Sequence, residues 1–236
     1  MQFHVFYTED LSAQIMQDHR RVVSHLGIDV NYHRFPSAAT YNQRYTMHGQ
    51  FMTDILREGR DPVSCFLDAD CLPYDADYLA RLHAWVLENR SFAGNAQNIS
   101  HAVTRNRMYA AASMCMIHRD AWRELGNPSL AWTRRPHSFK NLRAQIDTAE
   151  LLTVRANRVG FKYRLLLPIG FDEEPHWDLG PYGSYGRGTV YPGSWHHFQA
   201  NQLKDGPTRL WADRVDAILQ GSQIVPVHEF ANFRRG

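Results

Sequence analysis

The chain has 236 residues, 44% hydrophobic and 21% charged, with a net charge of +2. That length holds one large domain or two small ones and buries a core without covalent staples. The composition excludes a disordered chain, and a near-neutral charge with no basic stripe excludes a nucleic-acid footprint. The three cysteines, Cys65, Cys71 and Cys115, fit no zinc spacing and stand in apolar contexts, which predicts buried reduced thiols. No apolar run approaches the ~20 residues of a transmembrane helix. Met1–Tyr7 has neither a basic start nor a long apolar stretch, so it reads as a strand rather than a leader, and a cytoplasmic protein is expected. The pairs Arg134–Arg135 and Arg234–Arg235 read as solvated surface.

In chain order, Phe3–Tyr7 is rich in aromatic and branched residues and reads as a strand. Leu11–Leu26 carries apolar residues on one helical face and ends at Gly27. Ile28–Phe35 reads as a second strand closed by Pro36, Tyr45–Arg57 as a helix, and Pro62–Leu67 as an apolar strand suited to the centre of a parallel sheet. Strand–helix–strand–helix–strand implies a doubly wound α/β domain, whose ligands bind beyond the carboxyl ends of the strands. Asp75–Arg90 follows as a helix and Phe92–Asn95 as a short strand. Met108–Ile117 is a small-residue and apolar run leading into a helix at Arg119–Leu125. Ala144–Val159 reads as a helix stopped by Gly160, and Tyr163–Leu167 as a strand. Gly170–Gly193 reads as a long ordered loop and Thr208–Leu219 as a last helix. With no repeat and no linker, a single domain over 1–236 is expected.

The strongest chemical signal is Phe66-Leu-Asp68-Ala-Asp70-Cys-Leu-Pro73. Two carboxylates two residues apart at the end of a buried strand project to the same side. Mg²⁺ and Mn²⁺ prefer such oxygen ligands and complete their shell with water and substrate phosphates. The bland alternative is a loop whose acids cap the helix near Asp75. Farther on, His196 and His197 lie between Trp195 and Phe198, and neutral imidazole ligates Mn²⁺ well beside carboxylates. The glycine- and tyrosine-rich stretch Gly180–Gly193 suits a loop that closes over a sugar and excludes water, or a packed surface loop. Within it, the guanidinium of Arg187 suits a phosphate.

With these segments in place the chain resembles GT-A glycosyltransferases, most closely the family 2-like group, over roughly residues 3 to 200. The resemblance rests on Leu67-Asp68-Ala-Asp70-Cys-Leu-Pro73, on Tyr109–Gly126, and on Asp147–Gly160. It implies a GT-A fold with a Rossmann-like mixed sheet: a nucleotide-binding half at 1–73, an acceptor-binding half at 74–200, and a C-terminal helix and tail at 201–236. It implies transfer of a sugar from a UDP-, GDP- or dTDP-sugar to a carbohydrate or other hydroxyl acceptor. Asp68 and Asp70 would hold Mn²⁺ or Mg²⁺, with a late histidine, His196 or His197, as a further ligand. Tyr7 and Thr8 would border the base and ribose. Asp147, with Glu150 as second candidate, would be the general base of an inverting reaction. The usual Glu-Asp pair is replaced by Ile146-Asp147-Thr148, and a helix N-cap is the structural alternative for Asp147. Two rival activities share parts of this pattern. A sugar-phosphate nucleotidyltransferase would carry a glycine-rich basic loop after the first strand, where Thr8–Ser12 has neither. A haloacid-dehalogenase-type phosphatase would carry its acid pair on the first strand rather than the third.

Overall fold

The computed structural model of the chain describes residues 1–38, 40–98, 108–136, 143–197 and 206–230. Phe198 and the Arg234–Arg235 pair lie outside them. The first half follows the expected alternation: β1 (Gln2–Thr8), α1 (Ala13–His25), β2 (Asp29–Phe35), α2 (Tyr41–Glu58), β3 (Val63–Asp68) and β4 (Cys71–Pro73). Next come α3 (Ala76–Glu88), β5 (Phe92–Asn98), β6 (Met108–His118) and α4 (Arg119–Glu124). β7 (Thr133–Pro136) and β8 (Arg143–Ile146) form an antiparallel pair ahead of α5 (Glu150–Val159). The last part holds β9 (Arg164–Leu166), β10 (Gly170–Phe171), β11 (Glu173–Asp178), a short 3₁₀ turn, β12 (Ser184–Arg187), β13 (Thr189–Tyr191), β14 (Ser194–His196), α6 (Arg209–Leu219) and β15 (His228–Glu229).

Six strands form the central sheet in the order β2-β1-β3-β6-β5-β9. β1 runs parallel to β2 and β3, whereas β3 and β5 each pair antiparallel with β6. The apolar third strand is therefore central, as expected, but in a mixed sheet. Side-chain alternation divides the core. Phe3, Val5, Cys65 and Leu67 pack on one face with Met16 and Val23 of α1 and Leu79, Leu82 and Val86 of α3. Phe6 and Phe66 pack on the other with Phe51, Met52 and Leu56 of α2, Trp122 of α4 and Leu152 of α5. All three cysteines are buried and free. Among the described residues no helix is long and apolar enough to cross a membrane.

A second, antiparallel sheet in the order β15-β10-β13-β14-β4 takes two of its five strands, β10 and β13, from the stretch expected to be loop. Its glycines end strands rather than exclude them: Pro192-Gly193, with Gly193 at φ +81°, turns β13 into β14 so that Tyr191 pairs with Ser194. The helix expected over 144–159 is shorter, because pairing with β7 holds Arg143–Ile146 extended. Ala149, at φ 66°, precedes α5, so Asp147 is not its cap.

Between the strands, α2 is pressed against the segment before Trp132 at one glycine. A Cβ on Gly49 would overlap the Leu130 carbonyl oxygen and Ala131 Cα. The approach is fixed by hydrogen bonds from Thr53 Oγ1 to the Gly49 carbonyl, 2.7 Å, and from Leu130 N–H to Thr53 Oγ1, 3.0 Å. Gly49→Ala is expected to lower unfolding free energy by about 1–3 kcal/mol, because backbone rather than a flexible side chain must yield. An unchanged urea midpoint and slope would contradict the close approach.

Candidate active site at the carboxyl ends of the central strands

Asp68 closes β3, and a tight turn through Ala69 and Asp70 leads into β4. Asp68 shares its face with Phe66, the side covered by α2, and there His48 Nε2 lies 3.5 Å from its Oδ1. His48 is itself seated by stacking on Phe6, with ring centroids 4.8 Å apart. Asp70 is buried and meets β14: His196 pairs with Cys71 across the antiparallel ladder, and His197 N–H donates to the Asp70 carbonyl at 2.9 Å. This register puts His196 Nε2 3.4 Å from Asp70 Oδ1.

Strand alternation separates the two histidines. His196 and Ser194 face the central sheet, where Asn95, Gln97 and Ser113 form a buried polar layer. Trp195 and His197 turn the other way onto Trp211 of α6, and His197 Nε2 reaches Thr208 Oγ1 at 3.2 Å. Sequence spacing left the choice between these histidines open; the structure brings His196 to the acids and not His197.

Asp68, Asp70 and His196 each offer one ligand atom, all within 4.8 Å of one another. A hard divalent cation at about 2.1 Å from its ligands spaces them roughly 3 to 4 Å apart, so small side-chain adjustments suffice. Two carboxylates and one imidazole suit Mn²⁺ or Mg²⁺, and the donor set fits. The electrostatics agree. Burial pushes the Asp68 carboxyl up, the charges of Asp70 and Asp147 add to this, and His48 and His196 oppose it. Burial works against a charged His196, yet the Asp70 and Asp68 charges outweigh it and raise that imidazole. The site is thus one of concentrated negative charge.

Asp147 is partly exposed and is held from two sides: Tyr109 O–H donates to Oδ2 at 2.7 Å and Thr148 N–H to Oδ1 at 2.7 Å. Burial and the adjacent Asp147 charge hold the Tyr109 phenol well above its usual range, so it remains a donor. Glu150 is buried and accepts the Asp147 backbone N–H at 2.8 Å, which directs its carboxylate to the chain beneath Asp147. Thr8 is buried at the end of β1, beside Tyr7, and Phe6 pairs with Asp68 in register. Asp10 and Arg44 join at 2.8 Å to fix the turn that follows. Arg187 lies on β12 with Nη1 3.3 Å from Glu173 Oε2, and its charge reaches His197. A cavity of about 650 Å³ between β2 and α2, lined by residues including His33, Phe35 and Phe51, contains none of these groups.

Sequence reasoning missed His48, Gln97 and Tyr109. Tyr109 stood in a stretch already singled out, but its partner lies across a strand and a helix start. The other two carried no local signal.

One buried group gives a stability test. Burial lowers His19 to about 4, as it lowers His197. The folded state keeps His19 neutral while the unfolded chain protonates near 6.5, so its contribution is complete above pH 6.5 and is lost as pH falls towards 4. Between pH 7 and 5 this amounts to about 2 kcal/mol. Urea unfolding of His19→Gln is expected to show a pH-dependent loss smaller by that amount than the unsubstituted chain; equal losses would contradict a neutral buried His19.

No family model and no curated protein matches the chain. Among solved structures it is similar to the Drosophila β1,4-galactosyltransferase 7 catalytic domain in complex with xylobiose, at 11% identity and TM-score 0.38, over 69% of this chain and 64% of that one. It is also similar to the Pyrobaculum calidifontis mannosyltransferase PcManGT in complex with GDP-Man and Mn²⁺, at 10% identity and TM-score 0.41, over 70% and 53%. A third is a putative glucose-1-phosphate thymidylyltransferase from Bacillus anthracis in complex with sucrose, at 8% identity and TM-score 0.41, over 95% and 97%. The chain spans under two thirds of the first two. At these scores the likenesses carry no argument about chemistry. The central mixed sheet flanked by helices is the α/β arrangement expected from the sequence.

Proposed function

We propose that the protein is a GT-A-type glycosyltransferase that moves a sugar from a nucleoside-diphosphate sugar to an acceptor hydroxyl. One observation carries the reading: Asp68 and Asp70, at a strand end and in the turn after it, and His196, on a strand that returns from far along the chain, converge on one point at the carboxyl end of the central sheet. A divalent cation held there, Mn²⁺ or Mg²⁺, supplies charge to offset a diphosphate leaving group. The residues up to 73 form the nucleotide-binding half, with Tyr7 and Thr8 bordering the base and ribose, and residues 74–200 the acceptor-binding half. Arg187 is the candidate phosphate contact, which requires it to release Glu173.

Asp147 is the general base. Its Oδ2 is anchored by Tyr109 and its backbone by Glu150, so the carboxylate is oriented while remaining partly exposed. The acceptor oxygen forms its bond to the anomeric carbon as the bond from that carbon to the diphosphate oxygen breaks. The acceptor proton passes to Asp147, and the configuration inverts. The nucleotidyltransferase alternative gains nothing from the turn after β1: Thr8–Ser12 contains neither glycine nor a basic residue. The acid pair, on the third strand, likewise does not favour the phosphatase.

A thermal-shift screen of UDP, GDP, CDP and dTDP, with and without Mn²⁺, tests this. One nucleotide is expected to raise the melting temperature only with Mn²⁺, and Asp70→Ala to remove the shift. Asp147→Asn is expected to keep the shift while sugar transfer from the matching donor falls about 100-fold or more. No shift with any nucleotide, or full transfer by Asp70→Ala, would contradict the assignment.

A further inference from the structure

The metal-ligand group and the base are joined through a single buried side chain, Gln97 of β5. Its amide Nε2 is 3.4 Å from His196 Nδ1 and 3.2 Å from Ser113 Oγ. Its Oε1 is 3.5 Å from the hydroxyl of Tyr109, which pairs with Gln97 across the β5–β6 ladder and donates to Asp147. The contact series Asp70–His196–Gln97–Tyr109–Asp147 thus crosses from one functional centre to the other without leaving the protein interior. Neighbouring Asn95 does not substitute for it, since its amide nitrogen is directed to Ser113 and Ser194.

We propose that Gln97 is a positioning residue that presents His196 to the cation and couples its occupancy to the anchoring of Asp147; the proposal rests on the metal-site reading above. An imidazole that ligates through Nε2 carries its proton on Nδ1, and a partner at Nδ1 fixes both ring orientation and tautomer. With the amide nitrogen towards Nδ1, His196 accepts there and carries its proton on Nε2, facing Asp70. Were Nε2 given to a cation, the imidazole would carry its proton on Nδ1 instead, with no change in the number of protons bound. Nδ1–H then needs an acceptor. A half-turn of the Gln97 amide provides Oε1 and carries Nε2 towards the Tyr109 oxygen. That oxygen would then accept from Gln97 while it continues to donate to Asp147, so the phenol that anchors the base is held from both sides. Glutamine is suited to this position because one pivot carries an acceptor and a donor. Ser113, whose hydroxyl serves either end of the amide, remains a partner in both settings.

The test uses the full chain and Mn²⁺ alone. Manganese binding followed by electron paramagnetic resonance is expected to weaken about 10- to 100-fold in Gln97→Met, which removes both hydrogen-bonding ends, and to stay within a few-fold of the parent in Gln97→Glu, which keeps the acceptor. A folded Gln97→Met with parental affinity overturns the proposal. Should that variant not fold, nitrogen-15 spectra of the parent with Mg²⁺ decide: the His196 proton is expected on Nε2 without the cation and on Nδ1 with it, and a proton that stays on Nε2 in the bound state overturns the proposal. A parent chain that binds no Mn²⁺ overturns the metal-site reading itself, an outcome distinct from a parent that binds and a Gln97→Met variant that binds equally well.

Discussion

The site depends on one pairing: β14 returns from far along the chain to lie antiparallel on β4, the three residues that directly follow the acid pair. Its register opposes His196 to Cys71 and lets His197 N–H close on the Asp70 carbonyl. A shift of one residue would turn His196 outward onto the tryptophans and bring His197 or Trp195 inward, because successive strand side chains face opposite ways. The identity of the third ligand is therefore a matter of register.

That register is secured from behind. Asp172 is buried and accepts hydrogen bonds from Arg214 of α6, from Trp195 Nε1 at 2.9 Å and from Val227 N–H at 3.1 Å. A buried carboxylate with so many partners is costly to disturb, since losing one partner leaves charge uncompensated. The C-terminal helix is thus fastened to the strand that carries His196, and Thr208, its N-cap, also touches His197. Trp195 and Trp211 fill the space between β14, α1 and α6. In front, the polar layer of Asn95, Gln97, Ser113 and Ser194 faces His196 with its hydrogen-bonding groups matched to one another. Such a layer favours one arrangement over alternatives because an unpaired buried polar group costs about 1–3 kcal/mol. The irregularity in the β5–β6 pairing allows it: Gly94 pairs with Cys115 and Asn95 with Ala111, so Ala112, Ser113 and Met114 have no partner on β5.

The first half of the fold was legible because its signals are local: helix-period apolar positions, Gly27 and Pro36 as stops, and an apolar run ending in two aspartates. The second half was less so. Gly170–Gly193 read as loop from its glycines and prolines, yet its strands β10 and β13 are held by partners beyond it, β15 and β14. Arg143–Ile146 carried helix-compatible residues and is a strand because β7 pairs with it. The acids were visible in the sequence. What surrounds them was not: His48 comes from a helix face, Gln97 and Tyr109 from adjacent strands, and the separation of His196 from His197 required knowing which face of β14 meets the central sheet.

The account therefore turns on whether Asp68, Asp70 and His196 hold one cation together. A crystal of the protein grown with Mn²⁺ and the nucleoside diphosphate it binds, measured for manganese anomalous scattering, tests this directly. The account predicts a single strong peak bonded to carboxylate oxygens of Asp68 and Asp70 and to His196 Nε2, with diphosphate oxygens completing the shell. A peak coordinated by His197 instead, or diphosphate bound away from the acid pair with no peak between Asp68, Asp70 and His196, would contradict it.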